Sequence, residues 1–547
     1  MRAFSELLDR LALTSSRNAK LVLVRDYLKA TPDPDRGWAL AALTGDLAFT
    51  AAKPAMIRKA VEARVDPVLF GWSWDYVGDM AETVSLIWPP DPDYRPNREP
   101  ELSEVVEALR TATRAEVPAL LERWLDALDA RGRWALLKLV TGALRVGLSA
   151  RLARTALAMI RPEGLDPVDA ADIEEVWHDQ QRPYGELFAW LEGRAERPGE
   201  APGRFRPVML AHALDETEIN ALDPADFAAE WKWDGIRVQL SFEGEARRIY
   251  SRTGDEISKS FPDLLQALDF EGVLDGELLV IRNGEVAPFA DLQQRLNRKT
   301  ADAKLLSSHP VGVVAYDLLS QDGEDLRGLP LIERRQRLSA FVDRMGADRL
   351  SLSPIVDFAD WDQLAALRAD PPVGAAAEGL MLKRWDSPYL AGRPKGPWFK
   401  WKRDPHLIDA VLMYAQRGSG KRSSFYSDYT FGVWRDDEAG DRHLTPVGKA
   451  YFGFTDEELK QLDKFVRDHT VERFGPVRSV RANQDFGLVL EVAFEGLQRS
   501  TRHKSGVAMR FPRINRIRWD KPAREADELE TLERLLEKEA AKSTPSS

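Results

Sequence analysis

The feature that most constrains the fold is a change of hydrophobic period near residue 200. Before it, apolar residues recur at helical spacing, as at Phe4, Leu7, Leu8 and Leu11, and again at Val105, Leu109, Leu120, Leu121 and Leu125. Intervals of three and four residues line up side chains on one helix face. The stretch "LLKLVTGALRVGLSARLARTALAMI" continues the pattern, with Gly142 and Gly147 as breaks. After residue 200 the period shortens to two in "VQLSF", "RRIYS", "GVLDGELLVI", "VGVVAYDLL" and "GLMLKR", the alternation of half-buried strands. The segment between, "GRAERPGEAPGRFRP" (193–207), is rich in Gly, Pro and charge and reads as a linker. This ordering predicts a multidomain chain, α then α+β then β. An all-helical domain spans 1–200. An α+β domain spans 206–404, with helices at 330–345 and 360–369 between its strands. A strand-rich third region, 405–525, reads as a small β-barrel with one helix at 456–468. A charged, solvated helical tail spans 526–547.

Composition narrows the function classes. A length of 547 residues suits about three or four domains. No run approaches the roughly 18 apolar residues of a membrane span, and "MRAFSELLDRLAL" lacks the pattern of a signal peptide. The chain has no cysteine, which excludes disulfides, thiol nucleophiles and cysteine zinc sites and fits a reducing cytoplasm. The net charge of −11 argues against a protein that coats polyanions along its whole surface. Local charge differs: between Arg499 and Arg524 nine Lys/Arg accompany one acid, Asp520, enough for one basic face.

The stretch "FAAEWKWDGIRVQLSF" (227–242) places Lys232 between two tryptophans. Glu230 and Lys232 share one strand face, Trp231 and Trp233 the other. Beyond Gly235 the parity flips, and Ile236, Val238, Leu240 and Phe242 become the apolar set. A tight Asp-Gly turn joining two antiparallel strands accounts for the flip. Taken alone, Lys232 is a solvated lysine on an amphipathic hairpin. Its company changes that reading: "VLDGELLV" supplies Asp275 and Glu277, "VVAYDLL" Tyr316 and Asp317, "EGLMLKR" Glu378 and Lys383, and "PWFKWKRD" Lys400 and Lys402.

In this order the motifs resemble those of the ATP-dependent DNA ligases, within the covalent nucleotidyltransferases, over nearly the whole chain. Lys232-Trp233-Asp234-Gly235-Ile236-Arg237 resembles the family's Lys-x-Asp-Gly-x-Arg nucleophile motif. The resemblance implies an all-helical DNA-binding domain, a nucleotidyltransferase (adenylation) domain and a C-terminal OB-fold β-barrel. It implies that Lys232 takes AMP from ATP through a phosphoramidate bond. A lysine attacks phosphorus only as the free amine, a form that neighbouring cations favour. Glu230 is implied to read the adenine amino group, Tyr316 to stack on the base, and Arg237 and Arg252 to reach ribose and phosphate. Lys383, Lys400 and Lys402 are implied at the α-phosphate. Arg393, in "LAGRPKGPWFK", stands for the arginine expected ahead of the Trp-Lys motif. Glu277 and Glu378 match the carboxylates that hold Mg²⁺, with Mn²⁺ as a substitute.

"MRFPRINRIRWDK" resembles the terminal motif of ligase OB-fold barrels, which makes Arg510, Arg513, Arg516, Arg518 and Lys521 candidates for phosphate and DNA contacts. In "LVTGALRVGLSARL", Arg145 and Gly147 are the corresponding candidates in the helical domain. The implied activity is sealing of nicks in duplex DNA through lysine-AMP and 5′-adenylated DNA. The implied setting is DNA repair, by a cytoplasmic, nucleoid-associated monomer that encircles its substrate. An RNA ligase or a capping-type nucleotidyltransferase remains the alternative. A non-catalytic clamp is disfavoured because every charged motif position is filled, and an NAD-dependent ligase because its four-cysteine zinc module is missing. "QRGSGKRS" (416–423) fails the phosphate-loop pattern at Ala415 and Arg422.

Overall fold

The structure, a computed structural model, describes all residues except 78, 90, 92, 95, 96, 143, 179, 200, 215, 283, 297–301, 373–375, 418–424, 438, 439 and 543–547; the side chains of 75, 76, 216 and 538–542 are likewise not described. The chain divides into two units, one of residues 1–170, 180–198 and 405–537, the other of residues 171–179, 199–404 and 538–547.

The N-terminal part of the first unit is helical. Helix Arg2–Leu13 buries Phe4, Leu7, Leu8 and Leu11, the stripe that its spacing requires. Helix Ala130–Thr141 ends on Gly142, which is left-handed (φ 68°). The next helix, Ala150–Ala158, starts where the Ser149 hydroxyl accepts from Leu152 N–H. Both glycines therefore interrupt the helical run, Gly147 also with positive φ (65°). Among the described residues no helix is long and apolar enough to cross a membrane.

The second unit is built on strands β1 (His212–Ala213), β2 (Phe227–Trp233), β3 (Ile236–Glu243), β4 (Ala246–Ser251), β5 (Gly272–Arg282), β6 (Glu285–Val286), β7 (Val311–Gln321), β8 (Glu324–Asp325), β9 (Leu350–Leu352), β10 (Ala377–Arg384) and β11 (Trp398–Lys402). They form two sheets, ordered β1-β11-β10-β2 and β4-β3-β5-β7-β8, with β6 beside β5 and β9 beside β7. The hairpin expected at Asp234-Gly235 does not form. β2 pairs with β10, whereas β3 pairs with β4 and β5, so the chain crosses from one sheet to the other. Asp234 N–H donates to Ala376 O (2.9 Å). Gly235 passes so close to β5 that a Cβ would lie 2.6 Å from Leu278 O. The parity flip marks a change of sheet, which the local sequence does not distinguish from a turn.

Each sheet hides one face and keeps the other for charge. Trp231, Leu380, Leu382, Phe399 and Trp401 pack with Leu364 of helix Trp361–Ala369. Val238, Leu240, Phe242, Leu274 and Leu278 pack with Leu338 and Phe341 of helix Leu331–Met345. Burial of such side chains stabilises by roughly 1.5–3 kcal/mol each. Between the opposite faces lies a small cluster of Met209, Val273, Leu319, Tyr389 and Trp398, drawn from both sheets.

The C-terminal part of the first unit is β-rich, with β12 (His406–Arg417), β13 (Tyr426–Asp436), β14 (Arg442–Ala450), β15 (Thr470–Phe474), β16 (Val477–Val480), β17 (Val489–Phe494), β18 (Gly496–Arg499), β19 (Val507–Arg510) and β20 (Arg513–Arg518). β12 is shared. Its first half pairs with β17, its second half with β16, and its other edge with β13. A bulge at Met413 bends it between the two. Among the described residues no ladder joins β20 or β15 back to β14, so two half-barrels share a strand in place of the closed barrel expected. Helix Asp456–Asp468 falls where the spacing predicts. The terminal helix, Leu529–Lys542, is not solvated all round: Leu529 and Leu532 are buried in this core, with Leu535 and Leu536 against it. Most of the Gly-Ser loop at 416–423 and the last five residues of the tail lie outside the described residues.

Candidate active site

Strand register gathers the motif lysines. Lys232 on β2 and Lys402 on β11 both stand opposite Gly379 on β10, and Glu230 and Lys400 both stand opposite Met381. Partners in register share a face, so Lys232, Lys400 and Lys402 emerge on the same side of the sheet. Gly379 permits this crowding. Its φ is 146°, and a Cβ there would sit 2.3 Å from Trp401 O and 2.7 Å from Lys402 Cα.

Lys232 Nζ donates to Glu378 Oε2 (2.7 Å), and Lys402 Nζ lies 3.7 Å from the same oxygen. Burial opposes the Glu378 charge, but Lys232 and Lys402 outweigh it and hold the carboxyl well below the usual range. Burial, then the fields of Lys402, Arg393, Lys232 and Arg252, lower the Lys400 ammonium. Four cations thus converge around Lys400. Glu277, opposite Arg237 on β3, behaves differently. Burial first, with Glu378 and Asp275 adding, pushes its carboxyl up to about 8 against the pull of Lys232 and Arg237. Among the described residues no three His, Asp or Glu gather as a metal cage. Glu277 and Glu378 suit a hard cation that takes two carboxylates and completes its shell from phosphate and water.

A second cluster is buried beside the first. Arg237 forks onto Asp275 (3.0 and 2.6 Å), which also accepts from Tyr316 (3.1 Å) and Tyr389 (2.6 Å). Tyr316 owes its aim to a bulge: Asp275 pairs with Asp317 and Gly276 with Ala315, leaving Tyr316 as the extra residue. Burial pushes its phenol well up, so it stays a donor. Glu230 accepts from Arg335 (3.0 Å), Ser353 Oγ (3.0 Å) and Lys383 (3.1 Å). The Lys383 ammonium, lowered first by burial, lies 4.3 Å from the Tyr316 ring centroid. It therefore sits with Glu230 and Tyr316 rather than with the Lys400 group.

Comparison with known proteins identifies the family. Residues 208–402 match the family described as "ATP dependent DNA ligase domain" and residues 422–521 "ATP dependent DNA ligase C terminal region". A "Probable DNA ligase" of Koribacter versatilis (strain Ellin345) is 32% identical, covering 98% of this chain and 96% of the relative. The chain belongs to the ATP-dependent DNA ligase family. A "DNA ligase 1" of Korarchaeum cryptofilum (strain OPF8) is 31% identical, covering 99% of each chain. The solved structure "Pmar-Lig_PreS3" shares the fold at 14% identity, with a TM-score of 0.58 over 94% of this chain and 99% of that one. The protein is thus a DNA-joining enzyme of the ATP-dependent class.

The ligase's other candidate residues belong to the first unit. In the C-terminal domain Arg516 is exposed on β20, while Arg518 is paired with Asp520 (2.9 Å) and Asp409 (3.3 Å) and Lys521 with Asp409 (2.7 Å). Arg510 stacks on Phe511, and Arg513 lies 3.9 Å from Glu495. In the helical region Arg145 is exposed with positive φ (46°), and the carbonyl of Gly147 accepts from buried Lys20 (2.8 Å). Sequence reasoning missed Arg335, Ser353 and Tyr389. Arg335 and Ser353 are more than a hundred residues from Glu230, and "ERRQRL" reads as an ordinary basic helix face.

Proposed function

We propose that Lys232 is the nucleophile of this ligase and that ATP lies across the two clusters, base toward Glu230 and Tyr316, phosphates toward Lys400 and Lys402. One observation carries the reading: Lys232 stands where a converging set of cations meets a buried aromatic and carboxylate cluster. The Lys232 amine attacks the α-phosphorus. A P–N bond forms, the α–β P–O bond breaks, and pyrophosphate leaves with the bonding pair. A 5′-phosphate oxygen of DNA then attacks the same phosphorus and the P–N bond breaks. Finally the 3′-hydroxyl attacks the DNA phosphorus and AMP departs.

Lys400, Lys402, Arg252 and Arg393 neutralise the phosphate oxygens as charge builds. Tyr316 presents a stacking face and Glu230 an acceptor for the adenine amino group. Arg237, held by Asp275, faces the ribose. Lys383, which the family resemblance puts at the α-phosphate, is better read on the base side, given its contacts with Glu230 and Tyr316. Glu277 and Glu378 would hold Mg²⁺, or Mn²⁺, which when bound screens the triphosphate charge. The half-barrels serve as the OB-type domain of a ligase with boundaries at 1–200, 206–404, 405–525 and 526–547, the last packed on the third through Leu529 and Leu532. Arg510, Arg513, Arg516, Arg518 and Lys521, with Arg145 and Gly147, contact the backbone of nicked duplex DNA. The working form is a monomer around DNA, in the cytoplasm at the nucleoid, serving repair.

The test is retention of label from α-labelled ATP through denaturing electrophoresis. Wild type is expected to retain it and Lys232→Ala to lose it; label on Lys232→Ala overturns the assignment. Nicked DNA against nicked RNA, with the same protein, separates the substrate classes.

A further inference from the structure

We propose that Arg335, aided by Ser353, is a positioning residue that sets the ligase's choice of purine by fixing the Glu230 carboxylate. This rests on the reading that Glu230 receives the adenine amino group. Arg335 stands on helix Leu331–Met345 and is buried. Its Nη1 donates to Glu230 Oε1 (3.0 Å) and its Nη2 to the carbonyl of Ser353. The Ser353 hydroxyl donates to Glu230 Oε2 (3.0 Å), which also receives Lys383 Nζ (3.1 Å). The 353–356 segment is itself stitched to β2, since Val356 N–H donates to Ala229 O (2.8 Å).

A carboxylate has about four acceptor positions. Three donors, arriving from a helix, a loop and a strand, occupy three and lock its rotation. The position left can accept an N–H and repels an oxygen. A 6-amino purine meets that requirement and a 6-keto purine violates it, the kind of mismatch that gives strong rejection. General scaffolding falls to the neighbouring residue. Arg334 is buried on Asp317 (2.7 and 3.0 Å) and donates to the carbonyls of Leu329 and Ser387. Arg335 instead sends one donor to Glu230 and one to the residue that also binds Glu230.

The experiment uses the full chain and follows label transfer to Lys232 from α-labelled ATP, GTP and purine riboside triphosphate, which lacks the amino group. Arg335→Met should raise the ATP KM about tenfold or more, the range for a hydrogen bond to a charged group. It should shrink the preference for ATP over the other two by a similar factor. Arg335→Lys should restore part of both. If Arg335→Met keeps the wild-type KM and preference while Glu230→Gln loses the preference, this inference is overturned and the Glu230 reading stands. If Glu230→Gln also keeps the preference, the reading beneath has failed. Should Arg335→Met lose its folding transition, Ser353→Ala carries the same test, with an expected loss of about threefold; an unchanged preference there overturns the proposal.

Discussion

Replacing Gly379 by alanine tests whether close approach of β2, β10 and β11 builds the site. The backbone at Gly379 has φ 146°, a region that costs a residue with a Cβ on the order of 1–3 kcal/mol. The added Cβ would lie 2.3 Å from Trp401 O, 2.7 Å from Lys402 Cα and 3.0 Å from Arg403 N. All three obstacles are backbone, so no rotamer relieves the overlap and β11 must move. Overpacking of this kind adds about 1–3 kcal/mol. The catalytic consequence is larger, because a displacement of about 1 Å at a reacting group can lower the rate about a hundredfold. Gly396→Ala is the control: its φ is 96°, but nothing lies within 4 Å of the new Cβ. Lys232 adenylation at saturating ATP should fall about a hundredfold in Gly379→Ala and remain within a few-fold in Gly396→Ala, with the lower melting temperature in Gly379→Ala. Equal effects of the two substitutions would refute the steric reasoning, and so would wild-type labelling by Gly379→Ala.

Three further outcomes are expected. Lys402→Ala, at a partly exposed side chain, should lower the adenylation rate by about 100- to 1,000-fold with an unchanged thermal melt; unchanged nick sealing would remove Lys402 from the mechanism. Asp263 accepts from Arg295 (2.6 and 3.1 Å) and Arg349 (2.6 Å), and these outweigh burial to lower its pKa below the ordinary 3.8. A carboxyl depressed on folding stabilises above its unfolded pKa and loses that contribution as pH falls through the folded one. The melting-temperature gap between wild type and Asp263→Asn should therefore be full at neutral pH and close below about pH 3.8; a gap independent of pH would contradict this. Arg516→Ala should weaken nicked-DNA binding and reduce the log–log salt slope by about one, and an unaltered slope in equilibrium binding would exclude a phosphate contact there.

What was legible in the sequence follows the reach of each signal. The stripe at Phe4, Leu7, Leu8 and Leu11 and the helix at 456–468 repeat within one element, so periodicity found them. The two faces around Lys232 were equally local, and Trp231 does pack away from Lys232. The Asp-Gly step does not specify a hairpin, because whether two strands pair depends on which partners compete for their edges. β10 and β5 supply those partners from 40 to 150 residues away. The closed barrel failed for a similar reason, since strand content does not specify which edges meet. The charge of the terminal helix suggests a solvated element, although Leu529, Leu532, Leu535 and Leu536 follow a helical stripe that calls for a partner surface. Arg335 left no trace, because a buried donor and a solvated arginine look alike in sequence.

The two clusters differ in charge balance, and on the proposed placement of ATP that difference favours one orientation of the nucleotide. Around the base-side cluster, Arg237, Arg334, Arg335 and Lys383 face Asp275, Asp317 and Glu230, four cations to three anions, mostly paired at hydrogen-bond distance. Around Lys400, the cations are Lys232, Lys402, Arg252, Arg393 and Lys400 itself, against the ionised Glu378. Glu277 stands beside them, its carboxyl pushed up to about 8 by burial. A polyanion therefore gains most by entering with its phosphates toward Lys400, whichever base it carries. On the proposed placement, selection of the base falls to the nearly balanced cluster, where buried and already bonded groups reject a wrong hydrogen-bond pattern while adding little net attraction. Charge excess at one end of the proposed site would then serve affinity and direction, and near-balance at the other would serve discrimination.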